Sequence, residues 1–170
     1  MPKLFAVLFL ALVASASASK VIDIQGEGYL GKPDPANTVP IFVAIVNDND
    51  FKIVSGTKEH KASVYLGFGA AGNIVSGLKK FDEWAAKAKE IKLESEKELL
   101  ALSNMRFVFV STAKGEESHL EMEMTDFDTE GRLVVWIEKA QLPKLIDLFE
   151  KVPTYFMEFR EQQEKAKQLK

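Results

Sequence analysis

Apolar and polar side chains alternate along several short segments of the chain, a pattern typical of β-strands. The segments PIFVAIV (40–46) and FKIVS (51–55) flank the polar sequence NDND, whose short side chains favour a turn. A further run, KASVYL (61–66), precedes a glycine-rich stretch and has a less regular strand pattern. The first half of the chain therefore predicts at least two strands joined by a tight turn.

The second half contains three more apolar segments. RFVFVST (106–112) and RLVVWIE (132–138) are apolar at both odd and even positions, which is typical of strands buried on both faces. HLEMEM (119–124) is apolar on one face only, so its other face is expected to be solvated. The connections AKGE and DFDTEG are too short for parallel crossovers. The three segments therefore predict an antiparallel meander.

Two stretches have helical periodicity. The first predicts an amphipathic helix from about Leu78 to Glu90, with apolar residues Leu78, Phe81, Trp84, Ala85 and Ala88. The second has Pro143 in its first turn, where proline is tolerated, and Pro153 is expected to end it. Its apolar residues are Leu142, Leu145, Ile146, Phe149 and Val152.

The remaining segments are a polar C-terminal tail and a region of mixed character. Residues 155–170 have few apolar side chains beyond the first turn and predict a solvated helical tail. Residues 91–102 begin with strand-like alternation and end with a helix-like sequence, so they fit either state. The overall prediction is an α+β fold, in which two amphipathic helices cover one face of an antiparallel sheet of five or more strands.

The N-terminus has the features of an export signal. Lys3 precedes an apolar run from Leu4 to Ala14, and the small residues ASASA follow at 14–18. This order predicts a cleavable signal peptide, residues 1–18, with Ala16 as an alternative cleavage point. The run is shorter than the ~20 apolar residues that a bilayer span needs. We therefore expect a secreted or periplasmic protein in which residues 19–170 form a single globular domain.

Charge and cysteine content narrow the range of partners. The chain has 22 basic and 25 acidic residues, for a formal net charge of −3, and no cysteine. A mildly acidic surface disfavours nucleic acids as partners, because phosphate binding requires a basic surface. Without cysteine, neither a disulfide framework nor lipid attachment through a thiol is available. The expected partner is another protein or a component of the cell envelope.

The glycine-rich stretch YLGFGAAG matches the spacing G-x-G-x-x-G of dinucleotide-binding sites through Gly67, Gly69 and Gly72. Glu94 follows at about the distance of a ribose-binding acid. Such a site requires a helix to begin at the glycines, whereas the best helix cap here is Ser76. We therefore interpret the glycines as structural, allowing a bend or a close backbone approach at a strand end, and expect no cofactor.

Catalytic chemistry has few candidate residues. His60 and His119 are the two histidines of the chain, and His60 lies in a polar stretch typical of a turn. No G-x-S-x-G sequence marks a nucleophilic serine. A non-enzymatic binding protein is therefore favoured, and the alternative is an enzyme or small-ligand protein whose site is assembled from scattered residues. A deep pocket with acids or a perturbed histidine would favour the alternative, whereas a filled core with a flat apolar patch would favour the binding protein.

The most concentrated set of potential metal ligands lies in and after HLEMEM. The loop DFDTEG resembles the first half of a calcium-binding loop, but Ile137 takes the place of the twelfth-position acid. We therefore expect a polar strand face and turn without a tight metal site. The candidate ligands, if a metal were bound, are His119, Glu121, Glu123, Asp126, Asp128 and Glu130.

The signal peptide gives the first testable prediction. Because small residues follow the apolar run, the protein purified from its native source should begin at Ser17 or Ser19. Intact-mass measurement checks this, and a mass that includes residues 1–16 would contradict export.

Overall fold

The computed structural model describes residues 26–31, 33–125 and 131–168. The predicted signal peptide lies outside these residues. The candidate metal ligands Asp126, Asp128 and Glu130 also lie outside them, so the prediction about that loop stays a prediction.

The described chain consists of two halves, and each half has four strands followed by two α-helices. The strands of the first half are β1 (Gly26–Leu30), β2 (Thr38–Ile45), β3 (Asp50–Gly56) and β4 (Lys61–Gly67), followed by helices α1 (Ala70–Leu78) and α2 (Phe81–Ile91). The strands of the second half are β5 (Ser95–Leu102), β6 (Met105–Thr112), β7 (Glu117–Thr125) and β8 (Arg132–Glu138), followed by helices α3 (Leu142–Glu150) and α4 (Val152–Lys167).

All eight strands belong to one sheet with the order β4-β3-β2-β1-β8-β7-β6-β5, and every neighbouring pair in it is antiparallel. The predicted meander β6-β7-β8 is confirmed, as is the α+β class. β4 and β5 are the two edges of the sheet. Among the described helices, none is long and apolar enough to cross a membrane.

The sheet is strongly curled. β4 contacts both β7 and β8, although three or more strands separate it from them in the sheet order. The curl encloses a core of alternating side chains, in which Phe51, Phe107 and Leu120 are almost completely buried. α2 lies on β6, α3 on β1 and α4 on β2, so the helices close the same face.

β1 joins the two four-stranded halves by pairing with β2 on one side and β8 on the other. A Cβ atom at Gly28 would lie 2.3 Å from Val135 Cγ1 and 2.8 Å from the Trp136 carbonyl oxygen. Glycine is therefore required where β1 crosses β8. The sequence GEGYL lacks the apolar alternation of a strand, which is why the sequence pattern did not identify β1.

The glycine-rich stretch lies differently from our expectation. α1 begins at Ala70, with Gly69 at the cap position and Gly72 inside the helix, so the predicted cap at Ser76 is wrong. The buried face of α1 begins with two alanines, which give a weaker helical signal than larger apolar residues. The helix predicted from about Leu78 to Glu90 corresponds to α2, which begins at Phe81 and ends at Ile91, and α1 is a separate helix that the sequence pattern did not indicate.

The C-terminal region contains two helices in place of one helix and a tail. Pro153 lies in the first turn of α4 rather than after the last helix, because α3 ends at Glu150 and a new helix begins at Val152. Phe156 and Phe159 dock α4 on the core, and its exposed C-terminal half agrees with the predicted tail.

The ambiguous residues 91–102 contain β5, since pairing with β6 outweighs the helix-like sequence at the end of this segment.

Two glycine substitutions test this account of the sheet. Gly28→Ala should lower the free energy of unfolding by about 1–3 kcal/mol, because the new methyl group overlaps β8. Gly72→Ala should raise it by up to about 1 kcal/mol, because a Cβ there meets no atom within 4 Å and alanine favours the helix. Denaturant unfolding checks both, and equal effects would contradict the assigned crossing.

Candidate functional site

The candidate ligands of β7 share the face of the sheet that points away from the helices, as the alternation predicts. Leu120, Met122 and Met124 fill the core on the opposite face. The expectation that His119 and Glu123 are solvated is wrong, because they are only 5% and 6% exposed. β7 is a central strand, and side chains of the neighbouring β6 and β8 cover this face.

His119 stacks on the indole of Trp136, with ring centroids 3.2 Å apart and planes 6° from parallel. Its Nε2 lies 3.3 Å from a carboxylate oxygen of Glu121. Burial lowers the pKa of His119 below its ordinary value, and the neighbouring Glu121 carboxylate only partly opposes this effect. At neutral pH the imidazole is therefore uncharged, and it serves as a flat packing surface for Trp136.

Glu123 is held by two arginines from the adjacent strands. Arg106 donates from Nε at 2.8 Å and from Nη2 at 3.1 Å, and Arg132 donates from Nη2 at 2.6 Å. Burial alone would raise the pKa of Glu123, but the hydrogen bonds and charges of the two arginines together lower it. The carboxylate oxygens are thus already engaged by cations of the protein.

This arrangement links β7 to both neighbouring strands through charged side chains. Among the described residues, no three histidine or carboxylate side chains come together as metal ligands. Of the six candidate ligands, the structure brings His119 and Glu121 together and commits Glu123 to Arg106 and Arg132. A contribution from the loop after β7 is not tested by the described residues.

The other candidate groups lie elsewhere. His60 is exposed, and its backbone N–H donates to the Thr57 hydroxyl across a turn, as expected for a polar turn. At the three motif glycines a Cβ would meet no atom closer than 4.0 Å, so the interpretation that they permit a close approach is wrong. A helix does begin there, but β4 is an antiparallel edge strand and not part of a parallel β-α-β unit.

A groove of about 540 Å³ lies between α2 and the edge strand β5. Its floor is the ring of Phe109, which Trp84 meets edge-on at 6.0 Å between centroids. Ile91 and Leu93 line it at the end of α2 and remain 51% and 46% exposed. The remaining lining residues are Glu83, Ala86, Lys87, Ala88, Glu90, Ser95 and Lys97.

The end of the groove is held in a fixed conformation. α2 ends at Lys92 in the left-handed conformation, with φ of 54°, and the Leu93 N–H donates to the Ala88 carbonyl at 2.9 Å. The buried Ser111 hydroxyl donates to the Leu93 carbonyl at 2.7 Å. The exposed Leu93 side chain is therefore presented by an ordered backbone.

The groove is open along the free edge of β5. β5 pairs with β6 only, so the backbone of its first half, from Ser95 to Glu98, faces no other strand of the sheet. Lys97 extends from β5 over the ring of Trp84, at 4.2 Å from the ring centroid. The sequence pattern did not indicate this site, because residues 91–102 fit either a strand or a helix. The exposed pair Ile91 and Leu93 was the available signal.

Comparison with known proteins gives fold similarity only. No protein-family model matches this sequence, and no curated protein matches it. An SsgA-like sporulation-specific cell division protein from Thermobifida fusca is 12% identical, with a TM-score of 0.42, over 92% of this chain and 100% of that one. The plant transcriptional regulator PBF-2 is 11% identical, with a TM-score of 0.30, over 87% of this chain and 95% of that one. Neither similarity carries an argument about function.

The buried groups of β7 predict a stability that falls in two steps as the pH is lowered. Because the folded state lowers the pKa of His119 from 6.5, the unfolded chain binds a proton first and stability declines below about pH 6.5. Because the arginines lower the pKa of Glu123 from 4.5, a second decline begins below about pH 4.5.

Urea unfolding over this pH range measures both steps. His119→Phe keeps the stacked ring and should remove the first step while leaving the second. Glu123→Gln should remove the second while leaving the first. A decline between pH 7 and 5 that is unchanged in His119→Phe would show that another group titrates.

Proposed function

We propose that the protein is a non-enzymatic binding module, and that the groove between α2 and β5 holds an extended segment of a partner protein. The observation that carries this proposal is the combination of an apolar groove with an unpaired strand edge beside it. Backbone groups along Ser95–Glu98 would bind the backbone of the added segment, as in other cases of strand addition to a sheet. The apolar groove would select its side chains.

The exposed apolar side chains of the groove favour the binding of a partner, which would cover them. Ile91 and Leu93 are each about half exposed on the rim, and covering such side chains is favourable by about 25 cal/mol per Å² of apolar area. The aromatic floor of Trp84 and Phe109 favours an aliphatic or aromatic side chain from the partner. Lys97 lies over Trp84 and would have to move aside or share the ring.

A small apolar ligand is the second candidate, because about 540 Å³ lies within the range of ligand pockets, ~300–1,000 Å³. The perturbed histidine does not favour catalysis here, since His119 faces away from the helices and does not line the groove. Export of the protein remains a proposal based on the N-terminal sequence, and it would place the partner in the envelope or outside the cell.

Selection of displayed peptides against the protein tests this proposal. Peptides of random sequence should yield binders with alternating apolar residues. Leu93→Asp should weaken their binding by at least about tenfold, because a charge in the apolar groove must be desolvated. Met157→Asp is the matched control, since Met157 is similarly exposed but belongs to α4.

The outcomes separate the two candidates. Binders that tolerate Met157→Asp but not Leu93→Asp support the peptide site. Failure to select any such binder, or binding that is insensitive to Leu93→Asp, would overturn it. Saturable binding of a small apolar dye that Leu93→Asp abolishes, without any peptide binder, would favour the small-ligand alternative.

A further inference from the structure

We propose that the segment bound at the groove carries basic side chains that alternate with apolar ones, and that Glu96 and Glu98 of β5 select the basic positions. This inference rests on the proposed function and names the chemistry of the partner. β5 supports it through the direction of its free backbone groups, the face that each side chain takes, and the charges that have no partner within the chain.

The backbone groups that can receive a segment belong to Glu96 and Glu98. The Thr125 N–H of β7 donates to the Asn104 carbonyl at 2.9 Å, so even-numbered residues of β6 bond with β7 and odd-numbered ones with β5. Lys97 lies opposite an odd-numbered residue of β6, so its backbone groups are used within the sheet. Glu96 and Glu98, on either side of it, therefore direct their N–H and carbonyl groups to the free edge.

The usable part of this edge is short and runs from Ser95 to Glu98. Before it, α2 ends at Lys92 in the left-handed conformation, where strand pairing cannot continue. Beyond it, the register with β6 shifts between Glu98 and Leu100. A Cβ at Gly77 of α1 would lie 3.2 Å from Leu100 Cβ, so α1 packs closely against that part of the strand. A bound segment therefore pairs along the first half of β5 alone.

Side chains of the paired segment would point alternately to the two faces of the sheet. Ser95 and Lys97 line the groove, so Glu96 and Glu98 point to the outer face, away from α2. Residues that lie directly opposite each other in a strand pair have their side chains on the same face. The partner residues opposite Ser95 and Lys97 therefore enter the groove, and those opposite the two glutamates lie on the outer face.

Glu96 and Glu98 favour basic side chains at the outer positions. Both are exposed, and neither forms an ion pair with a cation of the described residues. The pKa of Arg106 is raised mainly by Glu123, to which its Nε donates at 2.8 Å, and only secondarily by Glu98 and Glu96. A lysine or arginine of the partner would supply the missing cross-strand charge, whereas an acidic segment or the β5 edge of a second copy would bring like charges together.

The groove face favours apolar side chains instead. Lys97 Nζ lies 4.2 Å from the centroid of the Trp84 ring, so this aromatic face already has a cation. A second cation beside Lys97 would be repelled, whereas an aliphatic or aromatic side chain can pack on its stem and on the exposed Leu93. The two faces of β5 thus require opposite residue types, and the bound segment alternates between them.

Selection of random peptides against charge variants of the protein tests the basic positions. The unmodified protein should enrich lysine or arginine at alternate positions between apolar residues. Glu96→Lys with Glu98→Lys should enrich aspartate or glutamate at those positions and retain the apolar ones. The matched control is Glu59→Lys with Glu161→Lys, which changes the net charge equally at exposed residues of a turn and of α4, and should still enrich basic peptides.

Fluorescence-polarisation titration measures the effect on one selected basic peptide and on a synthetic copy with glutamate at its basic positions. Reversing both glutamates of β5 should weaken the basic peptide about tenfold and strengthen the acidic copy by a similar factor. Glu96→Gln with Glu98→Gln keeps the shape of the side chains in case charge reversal disturbs folding, and it should weaken the basic peptide about threefold.

The outcomes separate this inference from the proposed function. Peptides that bind in a Leu93-dependent way without basic residues, or whose basic preference survives charge reversal, would overturn the role of Glu96 and Glu98 while the groove remains a binding site. Failure to select any Leu93-dependent peptide would overturn the proposed function and this inference together.

Discussion

The pairing of β1 with β8 is the constraint on which the rest of the structure depends. It connects two four-stranded halves into one sheet through a short register at Tyr29 and Leu30. Gly28 allows β1 to approach the side chain of Val135 where no Cβ would fit. With this contact made, the sheet curls, β4 reaches β7, and the helices have one common face to cover. The two free edges and the groove are what the curl leaves open.

The outer face of the second half is stabilised by polar and aromatic contacts instead of a helix layer. Glu123 is paired with Arg106 and Arg132, and the buried His119 has Glu121 as its polar partner while its ring stacks on Trp136. These contacts give a structural role to His119, Glu121 and Glu123, three of the candidate ligands. Acidic residues concentrated in a sequence can therefore serve to pair with basic side chains of neighbouring strands.

The sequence predicted those elements whose residues show a clear hydrophobic periodicity. The meander was visible because β6, β7 and β8 alternate over many residues and short connections exclude crossovers. β1 and the start of α1 were not, since glycine and alanine become buried there only through tertiary contacts. The groove was equally hidden: Ile91 and Leu93 are exposed because of where α2 ends and β5 begins, which the ambiguous sequence from 91 to 102 leaves undecided.

The two arginines around Glu123 have a consequence for local opening of the sheet. They come from different neighbours of β7, so separating either β6 or β8 from it would leave a buried carboxylate with part of its compensation lost. Partial fraying of the meander is thereby penalised on both sides at once. We therefore expect β6, β7 and β8 to open as one cooperative unit, in which backbone amides of all three strands become accessible to hydrogen exchange together.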